Sequence, residues 1–222
     1  TLADSSRGIV ICFRNVLTRH GHTDITDESI KRTIGKTLED SFSILTGITD
    51  KNTLISYKKE YVKEADIHMT ANTKFFPETV AVLKALKKRG AQIGIISTKY
   101  RYRIHEMVDQ HFPNKFFDII IGREDVKKAK PSPQGLLKAL RCLHRKKKDT
   151  LYIGDSIIDA QTALLAGVDF VGVLNGMTTR EELAEYRHRQ ILPDLTLLPL
   201  INKETTPPLL QRLVPHKALI YY

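Results

Sequence analysis

The chain has 222 residues, 41% of them hydrophobic, which is enough for one main core and a smaller satellite. No run approaches the roughly 20 apolar residues needed to span a bilayer and no charged-then-apolar leader is visible, so a soluble, cytoplasmic protein without a membrane partner is expected. Thirty-five basic against 25 acidic residues give a formal charge of +10, which by itself fits nucleic acid, an anionic substrate or a well-solvated surface.

The apolar positions Ile9, Phe13, Val16 and Leu17 recur at helical spacing between Ser5 and His20, with Gly21 as a stop. Helical patterns follow over 27–34, after the cap candidate Thr26, over 37–45, and over 53–65, where Leu54, Tyr57, Tyr61 and Val62 share a face. This stretch is all helical. From "NTKFFPET" onward, helices alternate with short continuous apolar runs of the kind that form buried parallel strands. The order is helix 78–89, strand "AQIGIIS", helix 102–111, strand "FFDIIIG", helix 133–143, strand "TLYIGDS", helix 159–166 and strand "DFVGVLNG". The fold class is therefore α/β, a doubly wound, Rossmann-like, mostly parallel sheet with an inserted all-helical domain. The final "NKETTPPLLQRLVPHKALIYY" has a double proline and no clear period, and reads as an appendage.

Cys12 and Cys142 form neither a CxxC unit nor a metal-type pair and are expected to be buried free thiols. The runs Lys127, Lys128, Lys130 and Arg145, Lys146, Lys147, Lys148 lack interleaved aromatic rings for base stacking, so nucleic acid is not the expected partner.

In such a sheet ligands bind outside the carboxyl ends of the strands. Those ends are polar here: Ser97 and Thr98 follow "IGII", Lys130 follows "DIII" after a loop, and Asp155 follows "LYIG", with Asp159 four residues on. Singly, Ser97 reads as a helix cap, Lys130 as a solvated loop residue and the aspartates as turn or cap carboxylates. Together on one rim they suit phosphate and Mg²⁺. A hard cation needs one or two carboxylates, and phosphoryl oxygens need a hydroxyl, backbone N–H groups and an ammonium.

These residues carry a resemblance. Ser97 after "IGII", Lys130 in "KAKPSP", and Asp155 with Asp159 in "YIGDSIIDAQTALLAG" resemble the second, third and fourth motifs of haloacid dehalogenase-type phosphatases. The helical block stands where members similar to phosphoglycolate phosphatase insert a helical cap, and "LNGMTTREEL" resembles their segment after the last strand. The resemblance covers about residues 1 to 201. It implies an α/β core at 1–18 and 75–201, a helical cap at 19–74 and an appendage at 202–222. It also implies a small phosphorylated substrate, with Mg²⁺ held by Asp155 and Asp159 and phosphate held by Ser97, Thr98 and Lys130. Gly35, in "TIGKTLEDSF", resembles the substrate-facing loop of the cap, and Lys36 beside it is a candidate substrate contact.

The family's first motif, DxDxT after the first strand, carries an aspartyl nucleophile and a second aspartate acting as general acid and base. Two registers are open. "IVICFRNVL" could be a ruined copy, with Cys12 and Arg14 in place of the aspartates, which would make a phosphate-binding pseudoenzyme. Alternatively "TLADSS" is the end of the motif, Thr1 is its threonine, and both aspartates lie just before residue 1. Helical periodicity through "RGIVICFRNVLTRHG" favours the second. The expectation is an Mg²⁺-dependent phosphatase whose central strand and nucleophile precede Thr1, with a sugar-phosphate mutase as the alternative chemistry.

Overall fold

A computed structural model describes residues 1–200 and the backbone of the strand Ala218–Tyr221. Two compact units divide it: Ala3–Lys74, and Thr1–Leu2 together with the chain from Phe75 onward.

The first unit holds α1 (Ser6–Arg19), α2 (Asp27–Lys31), α3 (Leu38–Thr46) and α4 (Lys51–His68). Thr26, Thr37 and Asp50 cap the last three by accepting the backbone N–H three residues on, which satisfies donors that a helix start leaves orphaned. Gly47 ends α3 in the left-handed conformation at φ 75°, where a side chain would be strained. The unit has its own core of Ile9, Cys12, Phe13, Val16, Leu17, Phe42, Tyr57 and Tyr61. The segment 1–18 expected in the α/β core falls, from Ala3 on, in this unit. The apolar face of α1 packs against the α3 and α4 aromatics, so α1 belongs with the helical unit. Two-residue strands β1 (Ala3–Asp4) and β2 (Lys74–Phe75) lie outside the main sheet.

The second unit contains α5 (Thr79–Lys88), β3 (Gln92–Ile96), α6 (Arg101–Val108), β4 (Ile119–Ile121), α7 (Gln134–Cys142), β5 (Thr150–Gly154) and α8 (Ile157–Ala166). It continues through β6 (Asp169–Val173), α9 (Arg180–Ala184), β7 (Gln190–Leu192) and β8 (Ala218–Tyr221). The sheet order is β4-β3-β8-β5-β6-β7, and every pairing is parallel. Strand alternation sends Ile93, Ile95, Leu151, Ile153, Val171 and Val173 into one buried cluster with Leu83 and Ile104. Ile96, Tyr152 and Phe170 enter the opposite cluster with Leu136, Ala160 and Ala163. Both faces are thus covered, as the continuous apolar runs require.

Two features depart from the sequence reading. Cys12 is buried as expected, but Cys142, at the end of α7, is exposed. The tail is not wholly an appendage, because β8 occupies the central slot expected for a strand before Thr1. Residues 201–217 lie outside the described residues. The apolar run "ALIY" suits a strand buried on both faces, and the slot between β3 and β5 presents two rows of backbone donors and acceptors that must be paired.

Candidate active site

The register fixes the rim. Ile95 and Ile153 both pair with Tyr221, so Ser97 and Asp155 stand at one level, two residues further along, with β8 running between their strands. Two strand spacings separate them, about 10 Å.

Ser97 is fixed by its N–H, which donates to Ile121 O at 2.9 Å, and its hydroxyl accepts from Lys99 N at 3.1 Å. Thr98 beside it is half-buried. Asp155 is largely withdrawn from solvent, with 14% of its side chain exposed. The Thr1 hydroxyl donates to its Oδ1 at 2.6 Å, and the Thr1 nitrogen lies 3.3 Å from Oδ2. Burial pushes the Asp155 carboxyl up, while the bond from the Thr1 hydroxyl and the Lys130 charge pull it down.

Thr1 is itself held in place. Asn175 Nδ2 donates to Thr1 O at 3.2 Å and to Glu78 Oε1 at 3.4 Å. Leu2 O accepts from the Thr79 hydroxyl at 2.7 Å and from Phe76 N at 3.2 Å.

A second group lies deeper. Lys130 Nζ donates to Asp159 Oδ1 at 2.7 Å, and both side chains are buried. Tyr152 Oη donates to the same oxygen at 3.2 Å, while the Ser156 hydroxyl donates to Oδ2 at 2.5 Å. Burial lowers the Lys130 ammonium below the ordinary lysine value, against the opposing pull of Asp159 and Asp155.

The structure therefore brings Thr1, Ser97, Lys130, Asp155 and Asp159 to one end of the sheet but gives the two aspartates different surroundings. Asp159, expected with Asp155 to hold the metal, lies deeper. It is fully buried and both its oxygens accept hydrogen bonds, because the first turn of α8 directs it back beneath the strand end. Gly154 makes this possible, since a Cβ there would lie 2.4 Å from Asp159 Cβ. Gly35, buried at φ 98°, and exposed Lys36 belong to the helical unit.

Two residues were missed as site candidates. Asn175 holds the Thr1 carbonyl, and Gly176 flanks Asp155 so closely that a Cβ would lie 2.3 Å from Oδ2. The signal was the Asn-Gly pair directly after a strand, at the polar rim.

Residues 1–173 match the family of haloacid dehalogenase-like hydrolases, and the chain belongs to that family. Its relatives place it among the phosphatases of the family. It is 28% identical to a pyrophosphatase PpaX from Bacillus mycoides over 91% of this chain and 93% of that protein. A crystal structure of a haloacid dehalogenase-like hydrolase from Bacteroides fragilis superposes with a TM-score of 0.88 at 60% identity, covering 89% of this chain and 94% of that one. A protein predicted to be a phosphoglycolate phosphatase, from Haemophilus somnus, shares the fold at TM-score 0.81 and 17% identity, over 90% of this chain and 93% of that one.

Proposed function

We propose that the protein is an Mg²⁺-dependent phosphatase acting on small phosphorylated substrates through an aspartyl-phosphate. The observation that carries this reading is the level placement of Ser97 and Asp155 on either side of the central strand, with the buried Lys130 near Asp155.

The donor set suits Mg²⁺ as far as the described residues go. Asp155 offers carboxylate oxygens at a polar rim beside a hydroxyl, and Mg²⁺ bound by one or two carboxylates keeps several waters. When bound there, Mg²⁺ neutralises phosphate charge and orients the phosphoryl group. Ser97 and the backbone N–H groups that follow it bind phosphoryl oxygens. Lys130, held by Asp159, balances negative charge as an attacking carboxylate oxygen bonds to phosphorus. The bond to the leaving oxygen then breaks with its electron pair, and that oxygen takes a proton. Water next attacks the acyl phosphate, releasing orthophosphate and restoring the carboxylate, so one hard step becomes two easier ones. Asp159 is a positioning residue in this scheme.

In this reading the helical unit has the family's cap role of selecting the leaving group, with Gly35 and Lys36 as candidate substrate contacts. The relatives named pyrophosphatase put inorganic pyrophosphate beside small phosphomonoesters in the substrate panel.

The experiment is an orthophosphate-release screen of the full-length protein with and without Mg²⁺. Metal-dependent release from at least one small phosphate is expected. Transfer of the phosphoryl group to another position of the substrate without net release would instead identify a mutase, and inertness toward the whole panel would overturn the reading.

A further inference from the structure

We propose that a cavity at the amino end of β6, at the opposite end of the strands from the phosphate rim, binds a small organic anion: an apolar body the size of one ring carrying a carboxylate or phosphate group. The proposal stands independently of the phosphatase reading, because no residue of the rim takes part.

The cavity has a volume of about 240 Å³. That is roughly the liquid volume of eight waters, on the scale of a molecule of about ten non-hydrogen atoms. Leu164 from the last turn of α8, Val168 and Phe170 form its apolar wall. Val168 and Phe170 are buried, whereas Leu164 is 53% exposed, so a ring seated against it removes further apolar surface from water. Asp169 is level with Leu151, and Asp155 follows four residues further along the chain from Leu151. Roughly 13 Å of strand therefore separates the cavity from the rim.

The polar side of the cavity is cationic. Arg187, His188 and Arg189 line it from the segment leading into β7. Two bonds fix that segment: Arg189 N donates to Phe170 O at 2.7 Å, and His188 Nδ1 donates to Tyr186 O at 2.7 Å. Arg189 Nε also donates to Asp169 Oδ2 at 2.8 Å, which holds its guanidinium at the wall. Among the described residues the Arg187 guanidinium has neither an ion pair nor a hydrogen bond. Lys147 adds a third cation, since its Nζ lies 3.5 Å from the position a Cβ would take on Gly167, another lining residue. The lining offers one carboxylate against them, that of Asp169, and the positive charge is left unbalanced. Guanidinium groups meet carboxylate and phosphate through paired N–H bonds. An inorganic ion would use this charge and leave the wall bare, a neutral hydrocarbon would do the reverse, and a compact organic anion uses both. An acidic peptide fits less well, because its backbone amides would be set against Leu164, Val168 and Phe170 without partners.

Amide shift titration by nuclear magnetic resonance tests this, with benzoate and phenylphosphonate as probes and with orthophosphate and benzyl alcohol as the head group and the body alone. Both organic anions should move the amides of 164–170 and 187–189 with half-saturation on the order of 1 mM, and the two controls should need about tenfold more. Arg187→Gln should weaken both anions about fivefold or more, and Leu164→Gln about threefold, with little change in melting temperature because both positions are exposed. Reading individual amides separates this cavity from binding at the rim. The shifts should persist without Mg²⁺, so the result holds or fails whatever becomes of the phosphatase reading. Orthophosphate acting as strongly as the organic anions would overturn the proposal in favour of a merely charged surface. Amides unmoved at about ten times the expected concentration would also overturn it. A hexaglutamate peptide that moves these amides where the small anions do not would overturn it in favour of an acidic protein partner.

Discussion

Lys130 Nζ stands 2.7 Å from Asp159 Oδ1 in a site closed to solvent on both sides of the pair. Such a pair holds geometry more than it adds stability, because taking two charges out of water offsets most of their attraction. Removing one partner is a different matter. Asp159→Ala removes the carboxylate that accepts from the buried Lys130 ammonium, and about 3–5 kcal/mol of stability should be lost. A urea titration reads this as a lower midpoint. The double variant Lys130→Met/Asp159→Leu should recover most of the stability while phosphate release stays absent. An Asp159→Ala protein as stable as wild type would remove the pair from the account.

Gly176 should be intolerant of a single methyl group for a local reason. A Cβ there would sit 2.3 Å from Asp155 Oδ2 and 2.9 Å from Asp155 O, so the carboxylate must turn or the loop must shift. Gly176→Ala is expected to weaken the Mg²⁺ requirement's midpoint by tenfold or more, about 1.4 kcal/mol, with little change in melting temperature because residue 176 is exposed. Gly154→Ala should behave oppositely. Its Cβ would collide with Asp159 Cβ in the core, so it should lower stability first. Equal effects of the two substitutions on metal dependence and on melting would contradict this division.

The sheet was legible because "AQIGIIS", "TLYIGDS" and "DFVGVLNG" are continuous apolar runs ending in polar residues, and both signals survive without tertiary context. The rim was legible for the same reason, since a strand end fixes where Ser97 and Asp155 must point. What pairs with what is not a local property. "ALIY" is too short to separate from a loop after a double proline, and only the unpaired edges of β3 and β5 give it a place. The different surroundings of Asp155 and Asp159 were equally illegible. Both are aspartates of one short motif, and the difference is whether the helix turn after the strand leaves the carboxylate at the rim or folds it onto Lys130. The grouping of α1 was not legible either, because a helical period gives a face but not its partner.

Asp155 is the described acid at the rim, so its charge should be indispensable and its volume should not. Asp155→Asn keeps the shape and an acceptor for the Thr1 hydroxyl but removes the negative charge a hard cation needs. In the full-length protein, Mg²⁺-stimulated phosphate release should fall by about 100-fold or more while the denaturant midpoint changes little, as loss of an essential electrostatic group produces. Isothermal titration with Mg²⁺ provides the readout independent of turnover, and unchanged metal affinity would take Asp155 out of the metal site.

The helical unit should have its own acid limit. Glu64 accepts from Asn15 Nδ2 and Arg19, each at 2.7 Å, and Glu60 accepts from Arg19 at 2.7 Å and meets His20 at 2.8 Å. The Asn15 and Arg19 bonds hold the Glu64 carboxyl below its ordinary value of 4.5. At Glu60, burial pushes upward, but Arg19 and His20 outweigh it, so that carboxyl is also lowered. A carboxyl with a folded pKa below its unfolded one contributes stability in full above the unfolded value. That contribution is lost as pH falls through the folded value. The α1–α4 pairing should therefore weaken below about pH 4.5, since the unfolded chain binds protons more readily than the folded one there. Hydrogen exchange on 6–19 and 51–68, measured from neutral pH downward, should show opening that steepens in this window. Glu64→Gln should flatten that slope, and Glu60→Gln should do so to a smaller extent because burial opposes the lowering most strongly at Glu60. Identical slopes in wild type and Glu64→Gln would show that the Arg19 network does not set the acid limit of this unit.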